Sequence, residues 1–208
     1  MSRSSIHELG DHLGFLIKKK SLVRSAKIGT AKMKNITIAL LGALACSAFA
    51  ANETQQQPAV GSPAPEFSLA SGSGGSVSLK DYRDKWVVLY FYPKDFTGGC
   101  TMEAKNFQRD LTKYDQAGAV ILGVSVDSAQ SHKDFCAKEG LNFKLLSDPD
   151  AKVSALYGST MDYKGAKMAA RNTFIINPKG DIAKVFVGVK PTEHSDEVLK
   201  ALADLKKG

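Results

Sequence analysis

Along the chain the apolar positions fall into blocks of different period. Residues 86–92, WVVLYFY, form a continuous β-branched and aromatic run stopped by Pro93, which predicts a strand buried on both faces. Residues 119–126 predict a second central strand and residues 143–146 a third. Between the first two, Ala104, Phe107, Leu111 and Tyr114 recur at helical spacing before Gly118, which predicts one amphipathic helix over 100–117. Asp127 with Gln130 has the form of a capping box opening a helix that ends at Gly140, and a short helix is expected over 150–157. Near the front, FSL at 67–69 and VSL at 77–79 are joined by SGSGGS, a hairpin signal. Residues 172–176 and 182–187 flank the turn NPKG and predict another hairpin, followed by a terminal amphipathic helix over 193–205. Helices between strands impose parallel crossovers and hairpins impose antiparallel pairing, so the expected fold class is α/β with a mixed sheet.

That order of elements is similar to the thioredoxin fold: a three-layer sandwich with a mixed central sheet and an N-terminal hairpin, in one domain over 65–208. Residues 51–64 are polar and contain proline, and read as a flexible lead-in. Ahead of them, residues 36–51, ITIALLGALACSAFAA, are apolar or small throughout, follow Lys32 and Lys34, and give way to NETQQQ. The run is shorter than the roughly 20 residues a spanning helix needs. Ala48-Phe49-Ala50 supplies a small-x-small cleavage signature. Residues 33–50 are therefore read as a signal peptide starting at Met33, with residues 1–32 a basic preface from an upstream start. The expected location is periplasmic or secreted, without stable membrane insertion. An organellar transit peptide is one alternative. A lipid anchor on Cys46 is another, weakened by the poor lipobox Ala43-Leu44-Ala45.

Charge changes meaning once that segment is set aside. Of the 28 Lys/Arg and 21 Asp/Glu, eight and two lie in residues 1–50, leaving 20 against 19 in the other 158 residues. A nucleic-acid partner, which the total of +7 would invite, is thereby excluded. Two cysteines stay, Cys100 and Cys136, and in an oxidising compartment a plain structural disulfide is the alternative to any chemistry. Two thiols and scattered histidines have no zinc-ligand spacing, so no metal and no bound cofactor are expected.

The chemically informative stretch is PKDFTGGCTME at 93–103, which runs from the end of a buried strand into the first turn of a helix. First-turn N–H groups without intrahelical partners and the positive end of the macrodipole both favour a thiolate at Cys100. A cation and a hydroxyl donor are expected to assist.

The pattern P-x-x-x-T-x-x-C resembles the peroxidatic-cysteine signature of the peroxiredoxins, RNTFII at 171–176 resembles their second motif, and GSPAPEFSL at 61–69 resembles their opening. CTMEA at 100–104 is similar to the bacterioferritin-comigratory, or Q-type, subfamily. The resemblance implies a thiol peroxidase of thioredoxin-dependent type acting on hydrogen peroxide and organic hydroperoxides. It implies that Cys100 attacks the peroxide, Thr97 hydrogen-bonds it, Arg171 supplies the cation, Pro93 shapes the loop and Glu103 orients Arg171. It further implies antioxidant defence, a monomer, and as reductant thioredoxin or an exported thioredoxin-like protein.

Two positions depart from the family. Many members have proline after the motif threonine where this chain has Gly98, followed by Gly99, and Q-type members often place a resolving cysteine where this chain has Lys105. As in other Q-type members, Cys136 on the following helix is expected to resolve Cys100 by an intramolecular disulfide, with the first turn around Cys100 unwinding. The alternative for Cys136 is a small buried hydrophobe. His132, four residues before it, is expected to be exposed. A redox-dependent chaperone or peroxide sensor using Cys100 is the rival function. A thioredoxin-type oxidoreductase is disfavoured because Cys100 lacks a C-x-x-C partner.

Overall fold

The computed structural model describes residues 56–207. Its strands are β1 (Ser68–Ser71), β2 (Ser76–Ser78), β3 (Trp86–Phe91), β4 (Ala119–Ser125), β5 (Lys144–Ser147), β6 (Thr160–Tyr163), β7 (Ala166–Ala169), β8 (Asn172–Ile176) and β9 (Ile182–Val187). Its helices are α1 (Gly98–Arg109), α2 (Leu111–Gln116), α3 (Ala129–Glu139), α4 (Lys152–Leu156) and α5 (His194–Leu205). The preface and signal peptide read from residues 1–50 lie outside the described residues. Among the described residues no helix is long and apolar enough to cross a membrane.

Seven strands form one mixed sheet in the order β2-β1-β5-β4-β3-β8-β9, with β6 and β7 paired separately. The β3–β4 and β4–β5 pairs, each bridged by helix, are parallel, and the β1–β2 and β8–β9 hairpins are antiparallel. This is the expected thioredoxin-like sandwich. Side chains alternate across a strand, so β3 and its extension divide between two cores. Val88, Tyr90 and Tyr92 pack with Phe107, Tyr114, Phe135, Val198 and Leu202 of α1, α2, α3 and α5. Val87, Leu89 and Phe91 pack with Val153 of α4, Tyr157, Ala169 and Phe174 on the other face.

Four details differ from expectation, each for a tertiary reason. The helix read over 100–117 breaks at Asp110, whose buried carboxylate receives hydrogen bonds from Arg109, Lys113 and Ser195. Ser128, not Asp127, caps α3, its hydroxyl accepting the Ser131 N–H, while Asp127 binds the loop after β3. The β6–β7 hairpin arises where no strand was read. The lead-in is tied down rather than flexible from Gln57 onward: Gln57 donates to the Gly158 carbonyl, and the Gly61 and Ala64 amides donate to Ile182 and Gly180.

Candidate active site

The parallel run of β3 beside β4 ends at Phe91, and after a short loop α1 begins at Gly98. Cys100 is its third residue, where backbone N–H groups have no helical acceptor. On the other side of β3, Thr173 of β8 pairs with Tyr90 in antiparallel register. Arg171, two residues earlier, is thereby carried level with the end of β3, where α1 starts. Sheet register thus brings together residues 71 positions apart. Arg171 Nη2 donates to Cys100 Sγ at 3.3 Å, and its Nη1 pairs with Glu103 Oε2. Glu103 follows Cys100 by three residues, so both lie on one helix face.

One partly exposed guanidinium therefore serves two buried groups: Cys100 is 2% exposed and Glu103 is buried. Burial pushes the Glu103 carboxyl up to about 7, and Arg171 only partly opposes this. Oε1 of Glu103 has no hydrogen-bond partner, which independently disfavours the anion. For Arg171, burial works against the charge, but Glu103 and Cys100 outweigh it and raise its pKa further.

Thr97 stands in extended conformation just before α1, and its hydroxyl donates to the Lys94 carbonyl at 2.9 Å instead of capping the helix. Its oxygen stays free to accept a hydrogen bond. Pro93 lies two residues beyond the end of β3, at the start of the loop that leads to α1. At Gly98 a side chain would meet open space, and at Gly99 it would touch Arg171 Nη2 at an ordinary 3.5 Å. Neither glycine is required by sterics, so both leave the first turn of α1 loose.

Cys136, half-buried in α3, has a different setting. Its thiol is pushed up to about 11 by burial and by the charge of Asp95. It opens onto a groove of about 320 Å³ that Gly72, Ser73, Lys133 and Asn142 also line. Both thiols are free.

Sequence reasoning missed a second polar cluster beneath the loop, centred on Asp95. Its carboxylate accepts from the Tyr92 hydroxyl at 2.7 Å, the Ser131 hydroxyl at 2.7 Å and His132 Nδ1 at 2.9 Å. His132, expected to be exposed, is fully buried, because this carboxylate gives its ring a partner inside the fold. The only local signal was a carboxylate placed directly after a buried aromatic strand.

A model of the AhpC/TSA family matches residues 60–185. The chain belongs to that family. A Helicobacter pylori putative peroxiredoxin bcp is 46% identical over 147 residues, covering 69% of this chain and 97% of the relative. A cysteine-to-serine mutant of Xylella fastidiosa PrxQ superposes with a TM-score of 0.68 at 34% identity, covering 72% of this chain and 98% of that one. The bacterioferritin comigratory protein of Xanthomonas campestris, studied for its alkyl peroxide reduction activity, superposes with a TM-score of 0.62 at 37% identity, covering 66% and 90%. This peroxiredoxin thus falls in the Bcp/Q branch, and by that membership is a thiol peroxidase.

Proposed function

We propose that the chain reduces hydrogen peroxide and organic hydroperoxides with Cys100 as nucleophile and Cys136 as resolving thiol. The observation that carries this is the Arg171 fork, with one arm on Cys100 Sγ and the other on Glu103 at the start of α1. The Cys100 thiolate attacks the terminal oxygen of ROOH. An S–O bond forms, the O–O bond breaks, and the electron pair leaves on RO⁻, which takes a proton to become ROH. Negative charge passes from sulfur to the departing oxygen, so a guanidinium already placed beside the sulfur stabilises the transition state. Thr97 Oγ1 is available to accept the peroxide O–H and orient it. Cys136 then attacks the sulfenic acid, an S–S bond forms and water leaves. A dithiol protein, thioredoxin or an exported relative of it, reduces the disulfide.

The signal-like run at residues 33–50 supports export to the periplasm or beyond. The Q-type resemblance supports action as a monomer.

The test is mass spectrometry of the reduced protein after one equivalent of hydrogen peroxide, comparing wild type with Cys136→Ser. A Cys100–Cys136 linkage is expected in the first and a trapped Cys100 sulfenic acid in the second. No oxidation at Cys100 in either protein would refute the assignment. Repeated turnover with a dithiol reductant separates a peroxidase from a stoichiometric sensor or chaperone.

A further inference from the structure

The cluster around Asp95 takes no part in the chemistry above, yet it joins the segment that leads to Cys100 to the helix that carries Cys136. Asp95 is 3% exposed and its side chain holds three hydrogen bonds, two of them from Ser131 and His132 of α3. Its own N–H donates to Asp127 Oδ2 at 2.8 Å, and Asp127 in turn accepts from Ser125 Oγ at 2.8 Å. The next residue, Phe96, sets its ring edge-on to Phe135 of α3 at 5.1 Å with Lys138 over it, so it too faces the helix that carries Cys136. Phe96 is 46% exposed with φ +60°, a conformation few non-glycine residues adopt. From there to Cys100 the chain contains two sterically unconstrained glycines; Thr97 bonds locally to Lys94, and Cys100 accepts from Arg171.

We propose that Asp95, clasped by Ser131 and His132, is the fixed pivot about which residues 96–100 swing to deliver oxidised Cys100 to Cys136, making all three positioning residues for disulfide formation. This rests on Cys136 being the resolving thiol. Five residues separate Asp95 from Cys100, an arm that reaches about 17 Å when extended. His132 and Cys136 are four residues apart on α3, about 6 Å along its axis. An arm anchored on α3 one turn from its target holds Cys100 within reach of the Cα separation of roughly 4.4–6.8 Å that a disulfide needs. Without the clasp the Asp95 backbone still bonds Asp127, so the base of the arm stays beside the end of β4, but the arm loses its direction toward α3 and meets Cys136 less often.

The experiment uses full-length protein, hydrogen peroxide, acid quenching, thiol labelling and mass spectrometry. It separates the peroxide-dependent oxidation of Cys100 from the peroxide-independent formation of the disulfide. In His132→Ala, which leaves the charge of Asp95 beside Cys136 in place, the second rate is expected to fall about twofold or more, with the first constant changed by less than about twofold. Sulfinic acid at Cys100 is expected to accumulate under excess peroxide. Ser131→Ala, a milder change on the helix surface, is expected to shift the same rate in the same direction. His132→Asn, which restores a donor near the Nδ1 position, is expected to recover it. An unchanged or faster disulfide rate, a parallel fall in both rates, or no recovery by His132→Asn would overturn the pivot while a wild-type disulfide leaves Cys136 in place. Absence of that disulfide in wild type overturns the role of Cys136 and the pivot with it.

Discussion

Cys100 and Cys136 are the same side chain in two settings. Cys100 opens a helix, touches a guanidinium at 3.3 Å and is enclosed. Cys136 lies inside a helix, has Asp95 as its electrostatic neighbour and faces a groove. The first setting puts a cation against the sulfur; the second keeps the thiol neutral, with burial and a carboxylate both acting against charge. Position in the fold, not residue type, thus separates a sulfur poised to meet peroxide from one held back until a sulfenic acid arrives.

The sharpest way to break this contrast is to remove the cation. Arg171→Gln should lower the second-order constant for Cys100 oxidation by about 10²–10³, the scale of losing one transition-state donor. Peroxide-independent resolution by Cys136 should change little, because Arg171 makes no contact there. Rapid-mixing kinetics with hydrogen peroxide would check both. Equal loss at both steps would mean that Arg171 acts on the fold rather than on one sulfur.

The next test concerns the carboxyl that shares that cation. The Glu103 carboxyl is raised in the folded protein from 4.5 to about 7, burial outweighing Arg171. A raised carboxyl stabilises the fold fully below its unfolded pKa, and that contribution disappears as pH climbs through 7; the shift corresponds to about 3 kcal/mol. His194 works in the opposite sense, since burial lowers its pKa and favours the fold at higher pH. The measurement is therefore a difference. Denaturant unfolding of the reduced protein at pH 5 and pH 8 should show wild type losing more stability across that range than Glu103→Gln. Identical pH profiles would show Glu103 ionised throughout.

Cys136 should then reveal its neutral state through kinetics. Its thiolate fraction rises tenfold per pH unit below about 11. The rate of disulfide formation should rise about tenfold per unit from pH 7 to 9. A rise that levels off near pH 8.5, the ordinary thiol value, would mean that an unwound α1 no longer leaves Cys136 buried.

How much of this was legible beforehand depended on the reach of each signal. Central strands β3 and β4 could be read because burial on both faces demands unbroken apolar runs in the local sequence. The break at Asp110 could not, because what buries its carboxylate includes a hydrogen bond from Ser195, 85 residues away. The β6–β7 hairpin escaped because β6 and most of β7 face solvent, so the short alternations MDY and AKM are too brief and too exposed to mark a core face. Cys100 and Arg171, 71 residues apart, were found only because each sits in a recurring family motif. Asp95 falls on an unspecified position of the P-x-x-x-T-x-x-C pattern and His132 on no motif, so nothing local marked them as a buried pair 37 residues apart, and the imidazole was expected at the surface.

The smallest expected effect tests whether the two settings communicate through the first turn of α1. Glycine in a helix costs about 1 kcal/mol relative to alanine, less at the first positions. Gly98 and Gly99 occupy those positions, and both have room for a methyl group. Gly98→Ala with Gly99→Ala should stabilise the wound turn by about 1 kcal/mol in total, reducing the unwound population about fivefold. Disulfide formation should slow by the same factor while oxidation of Cys100 keeps its rate, because the wound turn is where Arg171 reaches the sulfur. Slower oxidation with unchanged resolution would reverse the assignment. It would mean that looseness serves the approach of peroxide and that the thiols meet without the helix opening.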